Sequence, residues 1–149
     1  MRILVENGRL LDPSRELDVQ ESLWIEDGII CEKQAFSANL ADRVIDAAGG
    51  WVVPGLIDLH VHFRDPGLEY KETIETGCLA AAHGGYTTVC PMPNTKPSTD
   101  CPEVVKKVLD KASAACGVHV LPVGAVTVGQ KGEQPTDVVS IKGSWNCCN

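Results

Sequence analysis

The chain has 149 residues, with 13 Lys and Arg against 20 Asp and Glu for a formal charge of −7, and 44% hydrophobic content alongside 14 Gly and 9 Pro. That is one ordinary domain or slightly more, apolar enough for a real core and too poor in Gly and Pro for a disordered chain. The acidic balance argues against nucleic acid as the main partner, because phosphate binding needs a basic stripe, and no apolar run approaches the roughly 18–20 residues of a membrane span.

Glu6, Gly8 and Arg9 interrupt the stretch where a secretory leader would be apolar, so secretion is not expected. Seven Cys is an odd number, and none of Cys31, Cys78, Cys90, Cys101 or Cys116 sits in a CxxC spacing. Neither a zinc ribbon nor a disulfide framework is indicated. A reducing cytoplasmic setting is expected.

Residues 1 to 53 read as short strands: Ile3 to Val5, Leu23 to Ile25, Ile29 to Cys31, Arg43 to Ile45 and Trp51 to Val53. Asn7-Gly8 and Asp27-Gly28 are two-residue hairpin signals, because both residues of each pair tolerate positive φ. A small antiparallel β unit is expected. From Pro54 strands alternate with helical stretches. Leu56 to His62 reads as a strand; Tyr70 to Ala82 carries Ile74, Cys78, Leu79 and Ala82 at helical spacing and stops at Gly84-Gly85. A strand over Tyr86 to Cys90 follows. The next helix has Asp100 as its expected N-cap and Pro102 in its first turn, and stops at Gly117. Val118 to Val126 reads as a third strand. Three such units point to a parallel sheet, open or closed, and on the roughly 200 residues that a barrel needs they make less than half of one.

The chemistry concentrates in PGLIDLHVHFRDPG, residues 54 to 67. Successive strand residues face opposite ways, so Ile57, Leu59, Val61 and Phe63 should form one face and Asp58, His60, His62 and Arg64 the other. Burying an acid, two imidazoles and a guanidinium is costly without compensation. A divalent metal compensates: imidazole suits zinc, and two His spaced by two along a strand project side by side. Asp58 could then be a ligand or orient one. The competing reading is an edge strand whose polar face meets water. A catalytic zinc usually takes three protein ligands, and no third is evident. His83 ends a helix, where a cation complements the dipole. His119 opens the third strand, at the end away from barrel sites. Asn94 follows the second strand at its C-terminal end, where α/β enzymes place their sites; it is either a loop cap or a ligand contact. With its donor and acceptor, and with the planar fork of Arg64, it suits a small anionic amide-bearing ligand.

HVHFRDPG at 60 to 67, EYKETIETG at 69 to 77 and GGYTTVCPMPNTKP at 84 to 97 resemble dihydroorotase, of the cyclic amidohydrolase branch of the metal-dependent amidohydrolases. The Arg two residues after the HxH, followed by an acid, Pro and Gly, distinguishes that form from hydantoinases, dihydropyrimidinases and allantoinases. The resemblance implies a (β/α)8 barrel carrying a small β-sandwich. It also implies interconversion of N-carbamoyl-L-aspartate and L-dihydroorotate in pyrimidine synthesis. It assigns His60 and His62 to zinc, with one or two ions, and Arg64 and Asn94 to the substrate carboxylate. A homodimer or a complex with an enzyme of the same pathway is the implied assembly; no nucleic-acid or membrane partner is implied.

The resemblance runs from Met1 to about Asp137. The chain then reads VVSIKGSWNCCN, without the bridging carboxylate, further His ligands and catalytic Asp that the family carries later. The expected division is therefore a β-sandwich unit over 1–53, the first βα units of a barrel over 54–137, and a non-family tail over 138–149, with Trp145, Cys147 and Cys148 accidental. Such a chain is expected to be inactive alone. Two other readings are a non-catalytic scaffold that binds a pathway enzyme, and a hydantoinase- or allantoinase-type hydrolase.

Overall fold

A computed structural model describes residues 1–115 and 117–144. The chain divides into two compact units, Met1–Pro54 and one beginning at Gly55.

The first unit is all β: β1 (Arg2–Glu6), β2 (Arg9–Asp12), β3 (Leu17–Gln20), β4 (Leu23–Glu26), β5 (Ile29–Ile30), β6 (Arg43–Asp46) and β7 (Trp51–Val52). They form two sheets, ordered β5-β4-β1-β6 and β3-β2-β7. Asp27 (φ 51°) and Gly28 (φ 82°) make the expected tight turn between antiparallel β4 and β5. The unit is mixed rather than antiparallel, because β6 runs parallel to β1 and β7 parallel to β2. Asn7-Gly8 does not close a hairpin either: it carries the chain from one sheet into the other. A Cβ on Gly8 would lie 2.7 Å from Val52 Cγ2, so the glycine is needed for close packing. The strands β2 and β3 escaped the sequence reading because each has only four residues, set about a short helical turn at Pro13–Arg15 and a left-handed Glu16. Leu4, Leu10 and Phe36 are the buried apolar residues of this unit, and the Trp24 indole N–H donates to the Phe36 carbonyl at 3.0 Å.

The second unit runs β8 (Leu56–Val61), α1 (Ile74–His83), β9 (Tyr86–Pro91), α2 (Pro102–Ser113), β10 (His119–Val120) and α3 (Val138–Gly143). The three strands are parallel, in the order β10-β9-β8. Parallel neighbours need a crossover, and α1 and α2 provide the two. Their apolar faces bury Ile74, Cys78 and Val108 with Phe63, Val89, Val118 and Val120 in one core. Each such side chain is worth about 1.5–3 kcal/mol when fully buried. Gly77 is part of this packing, since a Cβ there would meet the Phe63 ring at 2.4 Å.

The helix α1 begins later than Tyr70 because Thr73 and Thr76 form a reciprocal capping box, each hydroxyl accepting the other's backbone N–H at 3.1 Å. Asp100 is not the cap of α2. Cys101 occupies that position without a side-chain hydrogen bond, and the Asp100 carboxylate accepts the Gly129 N–H at 2.7 Å. The third strand is two residues long, not nine. Leu121 and Val123 still donate to Val89 and Pro91 at 2.9 Å, but the rung between them, to the Leu121 carbonyl, would have to come from the N–H that Pro91 lacks, and the regular ladder ends there. Residues 138–143 form α3, capped by Asp137 and anchored by buried Ile141.

Candidate functional site

The loops that leave the C-terminal ends of β8, β9 and β10 lie together, and of the residues singled out above they carry His62, Arg64 and Asn94. An open cavity of about 500 Å³ is lined by His62, Met92, Pro93, Asn94, Thr127 and Gln130 among others. This is where parallel α/β sheets place their sites, because strand ends release loops there while the core holds the strands fixed.

His62 and Asn94 meet across the ends of β8 and β9, with His62 Nδ1 2.9 Å from Asn94 Oδ1. An amide oxygen only accepts, so Nδ1 is the donor, and Nε2 is the ring nitrogen left for another partner. Asn94 keeps its NH₂ group for another acceptor. The His60 and His62 rings lie 5.1 Å apart between centres and 67° from coplanar. Two imidazoles on one zinc, with Zn–N bonds of about 2.0–2.1 Å and tetrahedral angles, have ring centres about 5 Å apart. The pair therefore fits the first two positions of a metal site, and His62 has the partner on its second nitrogen that ligating imidazoles use. Among the described residues no group of three or more His, Cys, Asp and Glu comes together as a complete metal site.

Two sequence expectations need correction. Asp58 does not share a regular face with His60 and His62: β8 is bulged, with Asp58 opposite Val89 and Val61 opposite Pro91, so three steps on one strand match two on the other. The Asp58 carboxylate accepts the His60 backbone N–H at 3.0 Å across the bulge, and Asp58 lines a second cavity together with His62. Nor is one face of the strand wholly buried. Phe63 is 5% exposed, but Ile57 and Leu59 are 61% and 71% exposed because β8 is the edge of its sheet. His60 is exposed, while His62, Arg64 and Asn94 are half-buried. His83 is the last residue of α1 and His119 the first of β10; neither lines the cavity.

Arg64 adopts a left-handed conformation, φ 66°, and its carbonyl accepts the Leu68 N–H at 3.0 Å. The turn that it begins is locked to the loop carrying Asn94, for Lys96 N–H donates to the Pro66 carbonyl at 2.9 Å. Gly67, at φ +93°, passes so close that a Cβ would sit 1.8 Å from the Lys96 oxygen. Gln130 joins the third loop to the second, its amide donating to Pro93 O at 2.9 Å and Ser98 Oγ at 3.0 Å. These links were not visible in sequence, since nothing in the local pattern ties residue 67 to 96 or 130 to 93.

The Glu69 carboxylate is drawn down to about 2 by the backbone N–H groups of Gly67 and Glu69 and then by Lys111. Its lowered folded value means that the unfolded chain binds the extra proton, so this stabilisation is complete above the ordinary value of 4.5 and fades as pH falls toward 2. An E69Q variant should lose the part of the acid-unfolding curve lying between those two pH values, as read by circular dichroism across an acid titration.

A family model described as "Dihydro-orotase-like" matches residues 49–147. The chain belongs to that family. The match runs through residues where a non-family tail was expected, including α3; Trp145, Cys147 and Cys148 lie outside the described residues. The chain is 48% identical to a dihydroorotase of Geotalea daltonii and 44% identical to one of Pelobacter propionicus. Each comparison spans 143 residues, 95% of this chain and 34% of the relative. It thus spans about a third of the length of the curated family members it matches. Among solved structures, an L-hydantoinase from Arthrobacter aurescens superposes with a TM-score of 0.77 at 27% identity, over 97% of this chain and 30% of that one. A D-hydantoinase from Thermus sp. gives 0.68 at 29%, over 88% and 29%. The mixed α/β fold is therefore that of cyclic-amide hydrolases. No helix among the described residues is long and apolar enough to cross a membrane.

Proposed function

We propose that this chain supplies the first strands, two metal ligands and the carboxylate-binding residues of a dihydroorotase, an enzyme interconverting N-carbamoyl-L-aspartate and L-dihydroorotate. The observation that carries the reading is the His62–Asn94 contact beside His60. It gives a zinc ligand of fixed tautomer and, on the same asparagine, an amide donor aimed at a second acceptor. In this reading residues 54–137 are the opening βα units of a (β/α)8 barrel, and residues 1–53 are its β-sandwich. The remaining ligands and the catalytic Asp belong to the part of the relatives that this chain does not span, and the setting is cytoplasmic.

His60 and His62 would hold zinc, which supplies Lewis-acid activation of water and of the amide carbonyl. The chain's own residues bind and orient. Asn94 Nδ2–H and the Arg64 guanidinium hold the substrate carboxylate, and Arg64 does so through a planar fork that matches two oxygens. That grip turns the carbamoyl nitrogen toward the side-chain carboxyl that it must attack, which converts a loose encounter into an intramolecular geometry. Arg64 is also what separates this reading from a hydantoinase, whose neutral ring offers no carboxylate to such a fork.

The test is a chimera in which this chain replaces the third of the Geotalea daltonii dihydroorotase that it aligns with. Turnover of carbamoyl aspartate is expected, with hydantoin left unchanged. Hydantoin turnover in preference, or a folded zinc-loaded chimera that turns over neither compound, would refute the reading. In the same protein N94A should weaken zinc binding by about 10–100-fold, the effect of losing a ligand's orienting partner, as measured by competition with a chromophoric chelator.

A further inference from the structure

Lys111 lies on α2, 46 residues from Asp65, yet its ammonium donates to Asp65 Oδ1. The Asp65 side chain is only 4% exposed. Its other oxygen accepts the Ile74 N–H, the first of α1, at 3.3 Å. Lys111 also reaches Glu69 Oε1 at 3.4 Å. The segment 64–69 is thus gripped at Asp65 and at Glu69 by one cation from outside it. A buried carboxylate is costly unless paired and hydrogen-bonded, and removing its cation leaves it uncompensated. The Lys111 ammonium is held above the ordinary lysine range, with the Asp65 hydrogen bond as the largest cause.

What this arrangement controls is the residue next to Asp65. Arg64 sits at φ 66°, a backbone region that L residues with long side chains occupy only when the surroundings impose it. The Leu68 N–H to Arg64 carbonyl bond closes the turn on one side, and Asp65, pinned between α1 and α2, fixes the other. We propose that Lys111 is a positioning residue for Arg64: acting through the buried Asp65 carboxylate, it holds the turn that presents the Arg64 guanidinium to the substrate carboxylate. The catalytic significance of that placement rests on the function proposed above; the placement itself does not.

The test uses the full 149-residue chain, 15N-labelled, with the Arg64 Nε–H resonance and backbone amide exchange as readouts. In K111M the Leu68 and Ile74 amides should exchange about tenfold faster and the Arg64 Nε–H line should move toward the position of a solvent-averaged arginine, while K111R restores both. Val89 and Val105 amides should keep wild-type protection. An unchanged Arg64 line in K111M would overturn the inference. So would faster exchange at Val89 and Val105 as well, because Lys111 would then be holding the whole unit and not the turn. Titrating the chimeric enzyme with L-dihydroorotate separates the two claims: an Arg64 line that depends on Lys111 but ignores L-dihydroorotate in the complete site leaves the positioning role standing and removes the carboxylate role of Arg64.

Discussion

Replacing His60 and His62 together with alanine in the chimeric enzyme is expected to abolish zinc uptake and to lower ring closure by at least about a thousandfold. Losing a single electrostatic donor already costs 10²–10³ in acyl chemistry, and here the activation of both water and carbonyl goes at once. Metal content by atomic absorption and initial rates with carbamoyl aspartate provide the measurement. The substitution should leave folding intact, because His60 is exposed, His62 is half-buried, and neither belongs to the apolar core around Phe63, Ile74 and Val89. A double variant that still closes the ring at the parent rate would remove both imidazoles from the site. Stripping zinc from the parent with a chelator should reproduce the loss, and added zinc should reverse it only where both His remain.

The second large effect is expected at Gly67. An alanine there would place its Cβ 1.8 Å from the Lys96 carbonyl oxygen while holding φ at +93°, so the chain must either break the contact between two loops or rebuild the turn. Substitution of alanine for a positive-φ glycine costs more than the 0.4–1 kcal/mol that it yields at compatible sites, and with a backbone collision added we expect a loss of about 2 kcal/mol or more. Denaturant midpoints of G67A against wild type measure it. The exchange rate of the Lys96 amide, which donates to Pro66, shows whether the loss is local. A neutral G67A would mean that the loops bearing Arg64 and Asn94 are not interlocked at this point. Because those loops carry the proposed carboxylate grip, G67A should also raise KM in the chimera more than it lowers kcat.

The strands at 2–6, 23–26, 43–46 and 86–91 were legible in the sequence because their apolar and β-branched residues repeat locally, as were the two helices after β8 and β9. The HxH of His60 and His62 stood out by residue type and spacing alone, since two imidazoles side by side along a strand suit a metal. Local pattern could not supply pairing partners. Whether β6 joins β1 parallel or antiparallel depends on a chain reversal 37 or more residues away, and the short strands β2 and β3 form only because their neighbours offer open edges.

The composition and the period of the α/β part were thus settled by sequence, and the choice of candidate site residues came from it, because each follows from side-chain chemistry and spacing along one strand. The bulge between Asp58 and Val61, the pairing of His62 with Asn94, the fit of Gly67 beneath Lys96 and the reach of Lys111 to Asp65 were decided only in three dimensions. They join residues 29 to 46 positions apart, brought together by the burial of α1 and α2 on one sheet, and the energy that selects them belongs to the packed core and to no single segment.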